Sequence, residues 1–278
     1  MSDSCSLGAN CPLPKPRTGA QLFRRLFRTL CIIPCGSHEL DGLLDTGIWG
    51  GEITEIVGDV ACGKTQFCLT AMCSVLRRSL ANVVYLDSFG TNFNTERLKQ
   101  ILITRHPDID PEELDRMFNA VKYCCVQEPA DILLALKNVA RLCRQQQVHL
   151  VILDSIDACL YDLLLENSQA EGRAQLSQIG AELHRLASDY MVAVVVVNHM
   201  VSWSNSQLKP ALGQAWASVA HTRVQFTKTS PGMVSAVLTK SFRTKTGAEI
   251  QFRIGPKGIA DVQDNDETFP GSPRASSE

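Results

Sequence analysis

The sequence has few aromatic residues, little net charge and no long apolar run. Phe, Trp and Tyr make up 6% of its 278 residues, and 27 basic residues against 29 acidic ones give a formal net charge of −2. This balance excludes a protein that binds nucleic acid through overall positive charge, so any such binding requires a local patch. Because no apolar stretch approaches the roughly 18 residues of a membrane span, the sequence predicts no transmembrane helix.

The sequence also lacks the pattern of a secreted, disulfide-stabilised protein. Its first residues contain Pro, Lys and Arg without the apolar core of a signal peptide. Its eleven cysteines are odd in number and scattered, which favours buried thiols in a reducing compartment. Cys31 and Cys35 have the spacing of half a zinc site, but no second pair matches them. Arg24, Arg25 and Arg28 in an acid-poor segment leave a mitochondrial transit peptide open as an alternative.

The hydrophobic content of 45% is enough for a full core, and apolar strand patterns alternate with helical patterns. Such alternation predicts an α/β fold with a mostly parallel sheet flanked by helices. After Arg223, apolar runs separated by Gly-containing turns predict a C-terminal antiparallel meander. The predicted organisation is a disordered N-terminus (1–18), a linker or apolar arm (19–35), one domain (36–260) and a disordered acidic tail (261–278).

One loop carries a specific signature for phosphate binding. Gly58, four further residues and Gly63-Lys64-Thr65 match the pattern G-x-x-x-x-G-K-[ST], after an apolar strand and at the start of a helix. The glycines allow backbone N–H groups to surround anionic oxygens, and the helix dipole adds positive potential there. The sequence therefore predicts nucleoside triphosphate binding by Gly58, Asp59, Val60, Ala61, Cys62, Gly63, Lys64, Thr65 and Gln66.

Two later strands end in polar residues. Val148–Leu153 is followed by Asp154, and in phosphate-loop proteins an acid at that place holds Mg²⁺ together with the loop hydroxyl. Thr65 and Asp154 are therefore the predicted metal ligands. Asn198 ends a second apolar strand and is predicted to face the γ-phosphate at the same sheet edge.

These motifs resemble the eukaryotic RecA-like recombinases and their paralogues. The loop has the family's Gly-Lys-Thr-Gln form, and Leu153-Asp154-Ser155 and Asn198-His199 fall at its spacing. Leu208–Trp216, followed by Thr222-Arg223, looks specifically like the D-type Rad51 paralogue, with the X-ray-repair type as the alternative. The resemblance covers about residues 20–260. It implies a RecA-like P-loop ATPase core with ATP and Mg²⁺ as cofactors.

The sequence departs from active members of the family in two ways. They carry a water-polarising acid two positions after the Asp that ends the second strand, and here Phe89 follows Asp87 at that distance. Losing a general base costs about 10²–10⁴ in rate, so slow hydrolysis is predicted unless Asp87 or Glu128 substitutes, and no residue is assigned as catalytic. The roughly 35 residues before the core are also too few for the helical DNA-binding domain of strand exchangers.

The resemblance implies two loops that contact DNA, one after the Asp154 strand and one after Asn198. The first contains Arg173 among acidic residues, and the second contains Lys209, with Trp203 as a candidate stacking platform. Because binding to single-stranded DNA draws on several cations, we expect the chain alone to bind DNA weakly.

Partner contacts are predicted around the arm. Its apolar stripe predicts a helix packed either on its own domain or on another subunit. Ala20 and Phe23 match the residues that the family's linker inserts into a neighbour, but Arg17 occupies the main anchoring position. Self-polymerisation is therefore not expected. Pairing with a different paralogue through Ala20, Leu22 and Phe23 is expected instead. Two late basic residues are candidates to reach a neighbour's phosphates or are solvated edge charges: Lys240 and Arg243.

Together these features predict a nuclear, ATP-binding recombinase paralogue in a heteromeric complex. It would act in homologous-recombination repair of DNA double-strand breaks and assist recombinase filament assembly on single-stranded DNA. Whether it is an enzyme stays open, with a weak DNA-dependent ATPase expected. The alternatives are an autonomous DNA-dependent ATPase and strand-exchange recombinase, or, on the loop alone, a small-molecule kinase.

Overall fold

The structure, a computed structural model, describes residues 18–21, 31–78, 81–160, 169–202 and 208–264. The described residues from Cys31 onward belong to one compact unit, and residues 18–21 belong to another. In the smaller unit, residues 19–21 are helical, and Thr18 and Gln21 each accept a hydrogen bond from the other's backbone N–H. This reciprocal pair is a capping box. The predicted roles of Leu22, Phe23 and Trp203, and most of the two predicted disordered tails, lie outside the described residues.

The described helices and strands follow one another in the alternating order that the sequence predicts. The helices are α1 (His38–Leu43), α2 (Lys64–Leu76), α3 (Thr95–Arg105), α4 (Pro111–Asn119), α5 (Pro129–Gln145), α6 (Gln169–Tyr190) and α7 (Gly213–Ala217). The strands are β1 (Ile32–Ile33), β2 (Ile48–Trp49), β3 (Ile53–Gly58), β4 (Asn82–Asp87), β5 (Val121–Cys125), β6 (Val148–Asp154), β7 (Ala193–Ser202), β8 (Leu208–Pro210), β9 (Thr222–Ser230), β10 (Met233–Lys240), β11 (Glu249–Gly255) and β12 (Gly258–Asp261).

One large sheet organises the compact unit. Its strand order is β12-β11-β10-β9-β3-β7-β6-β4-β5, with β8 paired to the end of β7. The six strands from β9 to β5 run parallel, whereas β9 to β12 form an antiparallel meander. The predicted fold class, a mostly parallel α/β sheet with a C-terminal meander, is therefore confirmed. Within the described ranges, each helix is too short or too polar to span a lipid bilayer.

The sheet separates two apolar cores because its central strands are buried on both faces. Along β7, Val195 and Val197 pack into the core that holds α2, whereas Val194 and Val196 pack into the core that holds α5 and α6. This alternation follows from the two-residue period of a strand. All six residues of β3 are buried, which fixes the strand that leads into the phosphate-loop motif.

Local signals explain where several helices begin. The Ser37 hydroxyl accepts from the Leu40 N–H and caps α1. Asn94 caps α3 through the Arg97 N–H. Asp110 caps α4, and Pro111 occupies its first position, a standard helix start.

Candidate functional site

The loop between β3 and α2 has a backbone that only glycine fits at two positions. Gly63 has φ = +97°, and a Cβ there would lie 2.3 Å from Ile254 Cδ1. A Cβ on Gly58 would lie 2.5 Å from both Cys62 Sγ and the Phe226 carbonyl oxygen. Because a backbone oxygen cannot move aside cheaply, β9, which pairs with β3, leaves no room for a side chain at Gly58. Glycines at these positions allow the loop to turn tightly and to present main-chain N–H groups to an anion.

Lys64 follows Gly63 at the start of α2 and points back at its own loop. Its Nζ donates to the carbonyl oxygens of Gly58 at 2.8 Å and Asp59 at 2.6 Å. The residue is 5% exposed and also lines the pocket described below. The ammonium group therefore lies at the anion site, where phosphate oxygens would replace these carbonyls as acceptors.

The two predicted metal ligands are in direct contact. Thr65 Oγ1 donates to Asp154 Oδ2 at 2.8 Å, across the space between the start of α2 and the end of β6. The same oxygen accepts from the Tyr85 hydroxyl at 2.7 Å. Hydroxyl and carboxylate oxygens are ligands that suit Mg²⁺, so this pair fits the predicted ion.

The environment of Asp154 shapes its charge. Burial raises the pKa of its carboxyl above the usual value, and the hydrogen bonds from Tyr85 and Thr65 oppose that shift. Burial likewise raises the pKa of the Tyr85 hydroxyl, so it remains a proton donor to Asp154. A cation placed beside Asp154 would stabilise the charged carboxylate that burial disfavours.

A pocket of about 450 Å³ opens over this loop. The predicted site residues that line it are Val60, Ala61, Gly63, Lys64, Thr65, Gln66 and Asp154. The remaining lining residues are not among those predicted for the nucleotide site: Phe89, Asn92, His199, Lys228, Gly232, Met233, Val234 and Ile254. Several lie on β9, β10 and β11, and no local motif marks them because the meander brings them to the loop only when the sheet forms.

Four of the predicted nucleotide-binding residues do not line the pocket: Gly58, Asp59, Cys62 and Asn198. Asn198 is fully buried and donates through Nδ2 to Glu55 Oε1 at 2.8 Å, and Arg223 Nε donates to the other oxygen of Glu55 at 2.6 Å. Cys62 is buried against Lys64. The neighbour of Asn198 lines the pocket instead: His199 has its Nδ1 2.9 Å from Asp157 Oδ2. The predicted contact between Asn198 and the γ-phosphate stays a prediction that this placement does not favour.

The segment after β4 places an aromatic ring where active relatives are expected to carry an acid. Phe89 is 55% exposed and lines the pocket. Asp87 accepts hydrogen bonds from the backbone N–H groups of Phe89, Gly90, Asn92 and Phe93 at 2.9 to 3.1 Å. A carboxylate that accepts four N–H groups has little capacity left to take a proton from water. Glu128 is not among the described residues that line the pocket.

The candidate DNA and interface cations have varied surroundings. Arg173 lies on an exposed part of α6, and Lys209 lies in β8, paired with Val201. Lys240 Nζ donates to the Ala217 carbonyl at 2.8 Å and lies over the Phe242 ring. Arg243 pairs with Asp45 and Glu52 and stacks on Trp49. Intramolecular partners thus occupy both candidates for a neighbour's phosphates. Ala20, in the smaller unit, is exposed.

The described residues contain no group of three or more His, Cys, Asp or Glu that could hold a metal ion. Cys31 and Cys35 are free thiols, and so are the other cysteines among the described residues.

Comparison with known proteins shows the family to which the chain belongs. The model of the Rad51 family matches residues 27–262. DNA repair protein RAD51 homolog 4 of Bos taurus is 37% identical over 263 residues, which cover 89% of this chain and 78% of that protein. The Mus musculus protein of the same name is 36% identical over 87% of this chain and 77% of its own length. DNA repair and recombination protein RadB of Pyrococcus furiosus is 28% identical over 84% of this chain and 98% of its own length. The resemblance inferred from the motifs is confirmed, and the chain belongs to the Rad51 family.

Proposed function

We propose that this chain is an ATP-binding recombinase paralogue that works within a heteromeric complex in homologous-recombination repair of DNA double-strand breaks. The observation that carries the proposal is the pocket over the phosphate loop, with Lys64 at the anion site and Thr65 bonded to Asp154. Membership of the Rad51 family supports nucleotide binding, and the names of RAD51 homolog 4 proteins support a role in DNA repair. Such a role implies a nuclear protein.

The site residues divide the work of binding. The N–H groups of the loop and the Lys64 ammonium would hold the phosphates, and Thr65 and Asp154 would hold Mg²⁺. The bound ion supplies charge neutralisation for the phosphate oxygens. Met233, Val234 and Ile254 give the pocket an apolar wall beside the loop, suited to the less polar part of a nucleotide.

Nucleotide would act mainly as an assembly ligand. Phe89 cannot polarise water, and Asp87 is occupied by backbone donors, so hydrolysis would be slow. At a ligand concentration about a hundredfold above the dissociation constant, binding alone stabilises the bound form by about 2.7 kcal/mol. That free energy is large enough to decide whether an interface forms without turnover.

A free sheet edge supports a partner. Strand β5 ends the strand order, and within the described residues it pairs only with β4. Four of its five residues are exposed, including Tyr123 at 45%. An unpaired edge is a template for a strand from another chain. Single-stranded DNA would be engaged within that complex, because the predicted DNA loops supply few cations.

Co-expression with other recombinase paralogues tests the proposal. We expect one of them to co-purify with the wild-type chain, and Lys64→Ala to weaken ATP binding measured by calorimetry and to reduce capture. The control is Lys228→Ala, which removes a charge from the pocket rim but leaves the loop intact, and should have the smaller effect on both readouts. Full ATP binding by Lys64→Ala would contradict the assigned site.

The rate of hydrolysis gives a second prediction. The wild-type chain should turn over ATP slowly, and Phe89→Glu should raise the rate, at most by the roughly 10²–10⁴-fold that a well-placed general base contributes. Phe89→Gln is the matched control, since it is polar and of similar length but cannot accept the proton. If the wild-type rate equals that of an active recombinase, or if Gln raises it as much as Glu, the assembly role is wrong.

A further inference from the structure

A buried tyrosine contacts the metal-binding side of the pocket without lining it. Tyr85 lies on β4 with no exposed surface, and its hydroxyl donates to Asp154 Oδ2 at 2.7 Å. Thr65 donates to the same oxygen at 2.8 Å. One carboxylate oxygen therefore accepts two hydroxyl groups, one from the nucleotide loop and one from the sheet.

The Tyr85 ring is fixed by its neighbours. Its centroid lies 5.1 Å from that of Phe93, which in turn stacks on Tyr123 at 5.6 Å. Strand pairing places Tyr85 beside Ile152, two residues before Asp154, so the phenol extends along β6 to reach the carboxylate. The main chain of Asp154 is held as well, because Asn92 Nδ2 donates to its carbonyl oxygen at 3.0 Å.

The two hydroxyl groups differ in what else they must do. Thr65 lines the pocket, and its oxygen is a predicted metal ligand, whereas Tyr85 is sealed inside the sheet and is not among the lining residues. The hydrogen bond from Tyr85 is therefore independent of the nucleotide and ion, and it restrains the carboxylate before either arrives. Groups that orient a metal ligand in this way contribute strongly to affinity.

We propose that Tyr85 is a positioning residue for the metal-nucleotide complex, acting by fixing the Asp154 carboxylate. The inference rests on the proposed function, since it concerns how this chain presents Asp154 to Mg²⁺. It predicts that the Tyr85 hydroxyl affects the dependence of nucleotide binding on Mg²⁺ but does not affect metal-free nucleotide binding.

The test is Tyr85→Phe, which removes one oxygen atom and keeps the ring. Calorimetry would follow binding of a non-hydrolysable ATP analogue across a Mg²⁺ series and in EDTA. The Mg²⁺ concentration for half-maximal binding should rise about tenfold, while the affinity in EDTA should equal that of the wild type. A purely structural role would lower the melting temperature without moving the Mg²⁺ midpoint.

The matched control is Tyr123→Phe. Tyr123 stands beside Tyr85 on β5 and belongs to the same aromatic stack, but its hydroxyl is 3.4 Å from Asp87 rather than near Asp154. Loss of the Tyr123 hydroxyl should leave the Mg²⁺ concentration for half-maximal binding (the Mg²⁺ midpoint) unchanged. Phe93→Leu, which keeps both hydroxyls but removes the ring packed on Tyr85, should raise the midpoint by a smaller factor, and it tests the inference even if Tyr85→Phe folds poorly.

The outcomes separate this inference from the proposed function. A wild-type chain whose nucleotide binding depends on Mg²⁺, with an unshifted midpoint in Tyr85→Phe, would overturn the role of Tyr85 alone. Equal shifts in Tyr85→Phe and Tyr123→Phe would also overturn it, because they would indicate general loosening of the stack. A wild-type chain that binds nucleotide without any Mg²⁺ dependence would overturn both the metal pair and the inference built on it.

Discussion

Two aspartates stand side by side at the ends of neighbouring parallel strands, and their surroundings are opposite. Asp87 ends β4, Asp154 ends β6, and the two are paired in register. Both are buried. Four backbone N–H groups donate to the Asp87 carboxylate at 2.9 to 3.1 Å, with the Tyr123 hydroxyl farther away at 3.4 Å, whereas the hydroxyls of Thr65 and Tyr85 donate to the Asp154 carboxylate.

The difference shows how one residue type serves structure at one strand end and function at the next. Backbone N–H groups are fixed by the fold, so a carboxylate that accepts four of them is committed to holding a loop. A hydroxyl is both donor and acceptor and can rotate, so a carboxylate bonded to hydroxyls can accept a cation without breaking the fold. Asp87 therefore holds the segment that carries Phe89, whereas the surroundings of Asp154 suit the metal ligand proposed above.

Exchanging carboxylate for amide at Asp87 should have the largest effect on stability. In Asp87→Asn the new amide group would face the N–H groups of Asn92 and Phe93, or those of Phe89 and Gly90, so at least two buried donors would lose their acceptor. Hydrogen bonds to charged groups contribute about 1.5–3 kcal/mol each, so the free energy of unfolding should fall by at least about 3 kcal/mol. Urea unfolding would measure it.

Asp87→Glu is the companion variant, because it keeps the charge but moves the oxygens outward. It too should be destabilised. An Asp87→Asn chain as stable as the wild type would show that the four N–H groups have other partners, and the contrast with Asp154 would lose its basis.

The central part of the candidate site can be predicted from the sequence because that part is local. Gly63, Lys64 and Thr65 lie within one loop, and the strand ending in Asp154 is recognisable from its apolar run. The parallel strands are likewise predictable, since burial on both faces leaves a continuous apolar pattern. The prediction of buried thiols holds only in part, because Cys124 and Cys125 are exposed.

The sequence does not reveal the parts of the site that depend on strand order. Tyr85 resembles any other apolar strand residue until β4 is placed beside β6. Lys228 and Ile254 lie near the loop only because β9, the first strand of the meander, pairs with β3. Asn198 shows the same limit from the other side. The polar end of an apolar strand suggests a nucleotide ligand, and only the strand order shows that Glu55, on the adjacent strand, accepts a hydrogen bond from Asn198.

The same exchange at Asp154 should have a smaller effect of the opposite sign. In Asp154→Asn the amide oxygen can take the place of Oδ2 and still accept from Thr65 and Tyr85, while a buried charge is removed. In EDTA, the variant should therefore melt a few degrees above the wild type, as happens when a functional residue is held at a cost in stability. Nucleotide binding by the variant should no longer respond to Mg²⁺.

The pH dependence of the difference in melting temperature tests whether the buried charge of Asp154 causes it. Burial raises the pKa of Asp154 above 3.8, its value without such surroundings, so the folded wild-type chain holds this proton more tightly than the unfolded chain. The contribution of Asp154 to stability is therefore most favourable below the unfolded pKa and falls as pH rises through the folded pKa. Melting temperatures of the two chains should be close near pH 4 and should separate as the pH rises, with Asp154→Asn the higher. A constant gap, or a less stable variant at pH 7, would mean that the carboxylate is not strained by burial and that Asp154 resembles Asp87 after all.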